Sequence, residues 1–252
     1  MASSSPDLGR QQRDWDDLAE VDPRWAIAGG GSATKYGHWD EAAFRSSGER
    51  IVDSLLDTAR RLGRPEHHGR ALDFGCGVGR LTRPLAGRFE ACVGLDISER
   101  MVDEARTLNA DVGNLSFVVS PDSNLHRFED ESFDLIAAKS VLVHMPSRAV
   151  VRAYVEEFVR TLRPGGLAIV QVPHHIAPRH RVQHHRRIWA LLRRFGVPAD
   201  VLYRRLRLQP VRLTFVPRAE IEALLGAAGA TLLEAEDNHK QPVASTTYFV
   251  TR

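Results

Sequence analysis

Two carboxylates and three glycines carry the first chemical information in this sequence. Asp73 lies in the apolar run Ala71-Leu72-Asp73-Phe74, and Gly75, Gly77 and Gly79 follow at every second position before a helix-like segment begins at Arg80. A strand running into such a turn brings backbone close to a ligand, because glycine has no Cβ in the way. The free N–H groups of the next helix then face whatever sits on the turn. Three ligand types compete for it. A dinucleotide turn needs G-x-G-x-x-G, but the third glycine counted from Gly75 would be Arg80, and residues 80–82 supply none counted from Gly77. A P-loop needs Lys-Ser/Thr after its glycines, and Arg80-Leu81 stands there instead. The third reading starts from Asp73, whose carboxylate would repel a pyrophosphate and suits a cationic amine. Asp96 follows 23 residues later, at a distance where a carboxylate typically grips a ribose diol. The ligand then has a ribose and an amino group and no phosphate at the turn. S-adenosylmethionine fits that description.

Proton-transfer chemistry points to histidines. His144 follows the fourth apolar run, and His174 with His175 follows the fifth. An unperturbed imidazole near pKa 6.5 suits deprotonation of a hydroxyl or an ammonium; the plainer reading of each is a structural or substrate-lining side chain. His180, His184 and His185 sit in an Arg-rich setting without cysteine partners, so no metal site is expected. From His174 to Arg218 there are eleven arginines against one acid, Asp200. This stretch mixes Val182, Ile188, Trp189, Leu191, Leu192 and Phe195 with Arg pairs. It reads as an amphipathic segment with an apolar inner face, against a solvated basic helix or a surface for phosphate, carboxylate or RNA. Trp189, Phe195 and Tyr203 are too few for a base-stacking surface, so nucleic acid is not the expected partner.

The elements that must position these groups alternate. Met1 to Arg13 is polar and predicts disorder. Asp14 to Ile27 holds two tryptophans, Trp15 and Trp25, which must pack on something. Asp40 is a helix N-cap, and a helix predicted to run to about Leu62 is ended by Gly63 and Pro65. Strands are predicted at Ala71 to Phe74, Ala91 to Leu95, Phe117 to Val119, Phe133 to Ala138 and Leu167 to Val172. Helices are predicted at Arg80 to Arg88, from Ser98 to Leu108 and at Arg148 to Leu162, with Arg163-Pro164-Gly165-Gly166 as a break. After the basic insert, a short helix (Pro217 to Ala228) precedes strands at Thr231 to Glu234 and Tyr248 to Val250. The alternation predicts a mainly parallel, doubly wound α/β sheet with its ligand at the carboxyl ends of the strands.

Asp73-x-Gly75-x-Gly77-x-Gly79, Val93-Gly94-Leu95-Asp96-Ile97-Ser98-x-x-Met101, Ser132-Phe133-Asp134-Leu135-Ile136 with Ser140-Val141-Leu142-Val143-His144-Met145-Pro146, and Leu162-Arg163-Pro164-Gly165-Gly166 occur in that order. The pattern resembles class I S-adenosylmethionine-dependent methyltransferases over roughly Arg70 to Val172, in particular the bacterial small-molecule enzymes of the methyltransferase type 11/12/25 domain group. The resemblance implies a three-layer Rossmann-like fold with a seven-stranded sheet whose last strand is antiparallel. Residues 1–65 would form an arm and helix covering the cofactor, and residues 66–252 the methyltransferase domain with a helical lid at about 174–216. It implies S-adenosylmethionine as cofactor and S-adenosylhomocysteine as product. The cofactor set would be Asp73, Gly75, Cys76, Gly77 and Asp96, with Ile97 and Met101 packing on the adenine and Ser140 near the methionine part. Cys76 reads more simply as a small buried residue, and Met101 has a competing reading as plain core. The family's acid after strand three falls one residue out of step, and Asp122 takes that adenine contact. Trp39, with Trp25 and Tyr36, would fold over the cofactor, and His144 and His174 are the candidate bases. The implied reaction is methylation of an O or N atom of a small metabolite in specialised metabolism. A non-catalytic cofactor-binding regulator, other sulfonium chemistry and RNA methylation are the alternatives.

Bulk properties fit this. A net charge of +2 on 252 residues creates no field that recruits nucleic acid or membrane. No run approaches the roughly 18 apolar residues of a membrane span, the polar N-terminus lacks a leader's apolar core, and Cys76 and Cys92 read as reduced cytosolic thiols. A cytoplasmic monomer or homodimer is expected.

Overall fold

Short apolar runs separated by Gly, Pro and polar turns fold here into one seven-stranded sheet. The structure, a computed structural model, describes residues 6–28, 40–239 and 242–252. The strands are β1 (Arg70–Phe74), β2 (Ala91–Asp96), β3 (Leu115–Val119), β4 (Phe133–Ala138), β5 (Leu162–Ile176), β6 (Thr231–Asn238) and β7 (Val243–Thr251). They lie in the order β3-β2-β1-β4-β5-β7-β6. β1 to β5 pair in parallel, and β7 runs antiparallel to both β5 and β6. β1 has β2 on one side and β4 on the other, so strand order reverses there and a crevice opens above the ends of β1 and β4.

Side chains alternate across the central strands, as the pleat requires. Leu72, Phe74, Val93, Leu95, Ile136 and Ala138 enter the core cluster with Tyr154 and Phe158 of α6 (Arg148–Thr161) and Ile221 and Leu224 of α9 (Arg218–Ala227). Ala71, Cys92, Leu135 and Ala137 point the other way, against Val52, Leu56 and Ala59 of α3 (Glu41–Arg61) and Leu85 of α4 (Thr82–Ala86). Asp40 caps α3 as expected, its carboxylate accepting from Ala42 and Ala43 N–H. Ser98 caps α5 (Glu99–Leu108) by accepting from Met101 N–H.

The structure corrects three expectations. Residues 6–13 are not disordered: α1 (Pro6–Val21) starts at Pro6, and α2 (Pro23–Ala28) follows it. Pro suits a first helical turn and Asp7 adds an acid there, while Leu8 and Leu18 are each only 1% exposed. The helix after the glycines begins at Thr82, not Arg80, because Gly79 N–H still bonds the Cys76 carbonyl. Residues 163–166 are not a break but a bulged start of β5. There Phe133 pairs with Leu162 and Leu135 with Leu167, and Gly165, at φ +75°, donates to the Arg252 carbonyl.

The insert after β5 consists of α7 (Pro178–Arg181), α8 (His184–Arg194), a π-helical turn (Val201–Arg205) and an extended return to α9. Its apolar face packs on α1: Trp189, Leu202, Tyr203 and Leu208 form one cluster with Leu18 and Val21. Arg193 grips Asp17 with two hydrogen bonds of 2.8 Å, and Arg204 donates to the Val21 carbonyl. On its other flank α1 reaches α5, where Ser98 Oγ donates to Asp16 at 2.6 Å and Arg100 pairs with Glu20. Exposed ion pairs contribute little, so the buried cluster carries the docking. Leu18→Ala should therefore cost about 2–5 kcal/mol of α1 docking. Amide hydrogen exchange over residues 7–21 should quicken roughly 30-fold or more while β1 and β4 amides keep their protection; unchanged exchange in α1 would show that another contact holds it.

Candidate active site

The turn after β1 is built to lie against β2. Gly75 and Cys76 N–H both donate to the Leu95 carbonyl, at 2.7 and 3.0 Å, and Gly77 N–H donates to Asp96 Oδ2 at 2.8 Å. The other carboxylate oxygen, Oδ1, accepts Ser98 N–H at 2.9 Å. Asp96 therefore ties the glycine turn to the start of α5. Gly75 and Gly77 sit at φ +75° and +53°, a region costly for other residues. A Cβ at Gly75 would strike Val141, and one at Gly77 would strike Ile27 of α2. These N–H groups are spent inside the protein, so the turn offers a phosphate no cradle.

Above the turn is a cavity of about 690 Å³ including its open mouth, lined by parts of α1, α2, the strand ends and the loop after β4. Of the predicted site residues, Gly75, Gly77, Asp96, Ile97, Met101, Ser140 and His144 all line it. Asp96 lines it together with Leu95, Ile97, Met101 and Ser120. An apolar slot beside a carboxylate is chemistry that fits a nucleoside.

Ser140 and His144 stand on the β4 loop. Ser140 takes φ +59°, strained for a non-glycine residue. Its N–H and Oγ both donate to Gln171 Oε1, at 3.1 and 3.2 Å, and Gln171 Nε2 donates on to Ser245. His144 ends a 3₁₀ turn (Leu142–His144) strapped by the return of the insert, where Thr214 N–H donates to the Val143 carbonyl and Thr214 Oγ1 to the Met145 carbonyl. His144 Nδ1 lies 2.9 Å from the Arg212 carbonyl. A carbonyl only accepts, so Nδ1 carries the proton and Nε2 keeps the lone pair. Burial pushes the His144 pKa below its ordinary value. Its ring packs edge-on against Trp15, centroids 5.2 Å apart.

Other predicted residues lie elsewhere. Asp73 is 2% exposed beneath the turn, not on the cavity wall, and Thr82 Oγ1 donates to it at 2.7 Å. Burial first, then repulsion from Asp96, push its carboxyl up to about 6. The Cys76 side chain packs among Val102, Ala105 and Phe117, away from the lining. Asp122 is off the wall, its carbonyl accepting from Tyr154 Oη, and Ser120 lines the cavity where an acid was expected. His174 is not brought together with His144; its Nδ1 lies 3.0 Å from Thr246 Oγ1 on β7. Trp25 packs against Tyr203 in the α1–insert cluster, the two rings tilted at 56°, and Trp39 and Tyr36 fall outside the described residues. Among the described lining residues none comes from the helices of the insert. Leu8, Gln11 and Trp15 of α1 cover the cavity instead, and sequence reading missed the first two. Their spacing with Leu18, at 8, 11, 15 and 18, was the available signal.

Among the described residues no helix is long and apolar enough to cross a membrane. Residues 72–170 match the family described as a methyltransferase domain. A methyltransferase, GfsG, of Streptomyces halstedii is 34% identical over 146 residues, 54% of this chain and 50% of that protein. The 27-O-demethylrifamycin SV methyltransferase of Amycolatopsis mediterranei is 33% identical over 142 residues, 54% of this chain and 49% of that one. The chain thus spans about half the length of the curated relatives it matches. In fold it is similar to magnesium protoporphyrin IX methyltransferase of Synechocystis with bound S-adenosylhomocysteine, with a TM-score of 0.63 at 21% identity over 98% of this chain and 99% of that one. Residues 72–170 are thus a methyltransferase domain, set in the fold of the class I S-adenosylmethionine-dependent methyltransferases.

Proposed function

We propose that this chain transfers a methyl group from S-adenosylmethionine to an oxygen or nitrogen of a small metabolite, and that His144 removes the acceptor's proton. The observation that carries this reading is the His144 ring in the cavity, its Nδ1–H spent on the Arg212 carbonyl. Bound cofactor supplies a methyl group already activated on a sulfonium. The protein's task is then orientation, exclusion of water and receipt of one proton. Nε2 receives that proton as the acceptor's oxygen or nitrogen forms its bond to the methyl carbon. α1 and Trp15 close the cavity above. The relatives' names support a small-molecule acceptor, one being a 27-O-demethylrifamycin SV methyltransferase.

Asp96 would hold the ribose, and Gly75, Gly77 and Ser140 would hold the amino-acid tail of the cofactor. Asp73 would act through the field it sets beneath the turn. Ionising a carboxyl that titrates at about 6 when folded, against 3.8 otherwise, costs stability above pH 6. A cationic ligand offsets that cost.

Two outcomes follow. Asp73→Asn, which keeps an acceptor for Thr82, should stabilise the ligand-free protein by roughly 2–3 kcal/mol at pH 7.5. That gain should fade as pH falls from 6 and vanish below 3.8, where the wild-type carboxyl is protonated in both states. The same variant should bind S-adenosylmethionine at least about tenfold more weakly in calorimetry; unchanged affinity would remove Asp73 from the cofactor's field. With labelled cofactor at saturation, His144→Gln should lower turnover about 10²–10⁴-fold with S-adenosylhomocysteine affinity intact, and His174→Ala should leave turnover unchanged. Because burial lowers the His144 pKa, wild-type turnover should hold its plateau to below pH 6.5 before falling. Full activity in His144→Gln would end its assignment as base.

A further inference from the structure

The face that α1 turns to the cavity is not wholly apolar. Leu8, Gln11 and Trp15 fall at i, i+3 and i+7 on one side of the helix and all line the cavity. Gln11 is 4% exposed, and its Oε1 is buried with no hydrogen-bond donor among the described residues. Leaving such an oxygen unmet costs about 1–3 kcal/mol, and a leucine would fill the same space without that cost. A glutamine here is accounted for by a donor that arrives from outside the chain.

Position says which ligand brings it. Gln11 also lines a narrow recess behind the cavity, with His144, Trp15 and the Pro210–Arg212 strap. It therefore stands on the His144 side. The adenosine end lies further along α1, where Asp16 accepts from Ser98 just after Asp96, about 7 Å along the helix axis from Gln11. Charge narrows the ligand further. Among the described lining residues Asp96 is the charged side chain, and no Lys or Arg reaches the wall. In the recess behind, Arg212 is accompanied by Asp14, and Arg10 and Arg186 face that same carboxylate. A carboxylate or phosphate on the acceptor would meet no cation among the described lining residues.

Resting on the methyl-transfer reading above, we infer that the acceptor is an uncharged, largely apolar molecule bearing two donors. One is the group that is methylated, received by His144. The other is a hydroxyl or N–H that Gln11 Oε1 receives. Gln11 is thus a specificity-determining contact for polyhydroxylated or amide-bearing acceptors, and Leu8, Trp15 and Met145 enclose the body between the two donors.

The test uses the full chain saturated with S-adenosylhomocysteine and reads binding of phenol, benzene-1,2-diol, benzene-1,3-diol, benzene-1,4-diol and 3-hydroxybenzoate by calorimetry. At least one diol should bind about tenfold more tightly than phenol, and 3-hydroxybenzoate should bind more weakly than that diol. Gln11→Leu should bring the preferred diol down to the level of phenol while leaving phenol itself unchanged. Gln11→Glu at pH 8, which keeps the acceptor oxygen, should restore the preference. If no diol exceeds phenol, or the preference survives Gln11→Leu, or the hydroxybenzoate binds best, the two-donor subsite is wrong. A fall in S-adenosylhomocysteine affinity in Gln11→Leu would make Gln11 a cofactor contact and overturn it equally. Methyl transfer to the same diols from labelled cofactor is scored separately: its absence with the diol preference intact counts against the reaction and leaves the subsite standing.

Discussion

Asp96 ends β2 with both carboxylate oxygens committed, one to Gly77 N–H and the other to Ser98 N–H. Those two bonds join the turn after β1 to the start of α5, and the floor of the cavity lies between them. The Leu95 carbonyl consumes the next two N–H groups of the turn, so the floor has almost no donors left to offer. What it has is negative charge. Asp96 is held above its ordinary pKa by burial, against the pull of its backbone donors, and Asp73, buried beneath the turn, is raised by burial and by the charge of Asp96. The nearest cation, Arg80, turns towards Ser47 and the Ile27 carbonyl and is itself desolvated. Two buried carboxylates are costly in isolation. The arrangement becomes favourable when a positively charged ligand lies on the turn, and that electrostatic requirement separates this turn from the phosphate-binding loops it superficially resembles.

The same bond network decides what can close the site. Ser98 not only caps α5 but donates to Asp16 of α1, so the covering helix is anchored one step from the carboxylate that sets the floor. Its other side rests on Trp189, Leu202 and Tyr203 of the basic insert. The insert acts at one remove. Its helices carry α1, and its extended return positions His144 through the Arg212 carbonyl and the Thr214 strap. The apolar inner face expected of this segment exists, but it is occupied by a neighbouring helix rather than by the cavity.

Where local pattern decided structure, the sequence could be read nearly to the residue. β4 spans the expected Phe133–Ala138, and Asp40, Ser98 and the glycine turn do what their side chains dictate. Reading failed where tertiary contact overrode composition. Pro6 to Arg13 looks like a solvated tail because two arginines, two glutamines, an aspartate and a glycine surround Leu8, and only the helical spacing of Leu8 and Gln11 to Trp15 and Leu18 reveals a buried face. Asp73 was legible as an acid at the turn but not as one lying beneath it, since its partner Thr82 is nine residues away and any small polar residue there would have looked alike. Gln171 and Ser120 were invisible for a similar reason. Their roles come from strands meeting across the sheet, and nothing in their local sequence marks them.

The match to the methyltransferase-domain family covers residues 72–170, and the cavity divides almost along that line. Gly75, Gly77, Asp96, Ile97, Met101, Ser140 and His144 fall inside it. Leu8, Gln11, Trp15, Ala26 and Ile27, together with the Arg212 carbonyl that sets the His144 tautomer, fall outside it. On the proposed reading, residues inside the matched stretch address the cofactor, while much of the wall facing the acceptor is drawn from segments outside it. That division follows from the physics of a doubly wound sheet. The strand ends and the β1 turn are fixed by sheet register and close backbone approach, and tolerate little change. A helix laid over the crevice is held by side-chain packing alone, so its inward face can vary with the acceptor without disturbing the floor. The residues that distinguish one member from another are therefore expected on α1 and on the strap over His144, and a buried amide on that face is the kind of difference that changes the acceptor and leaves the cofactor untouched.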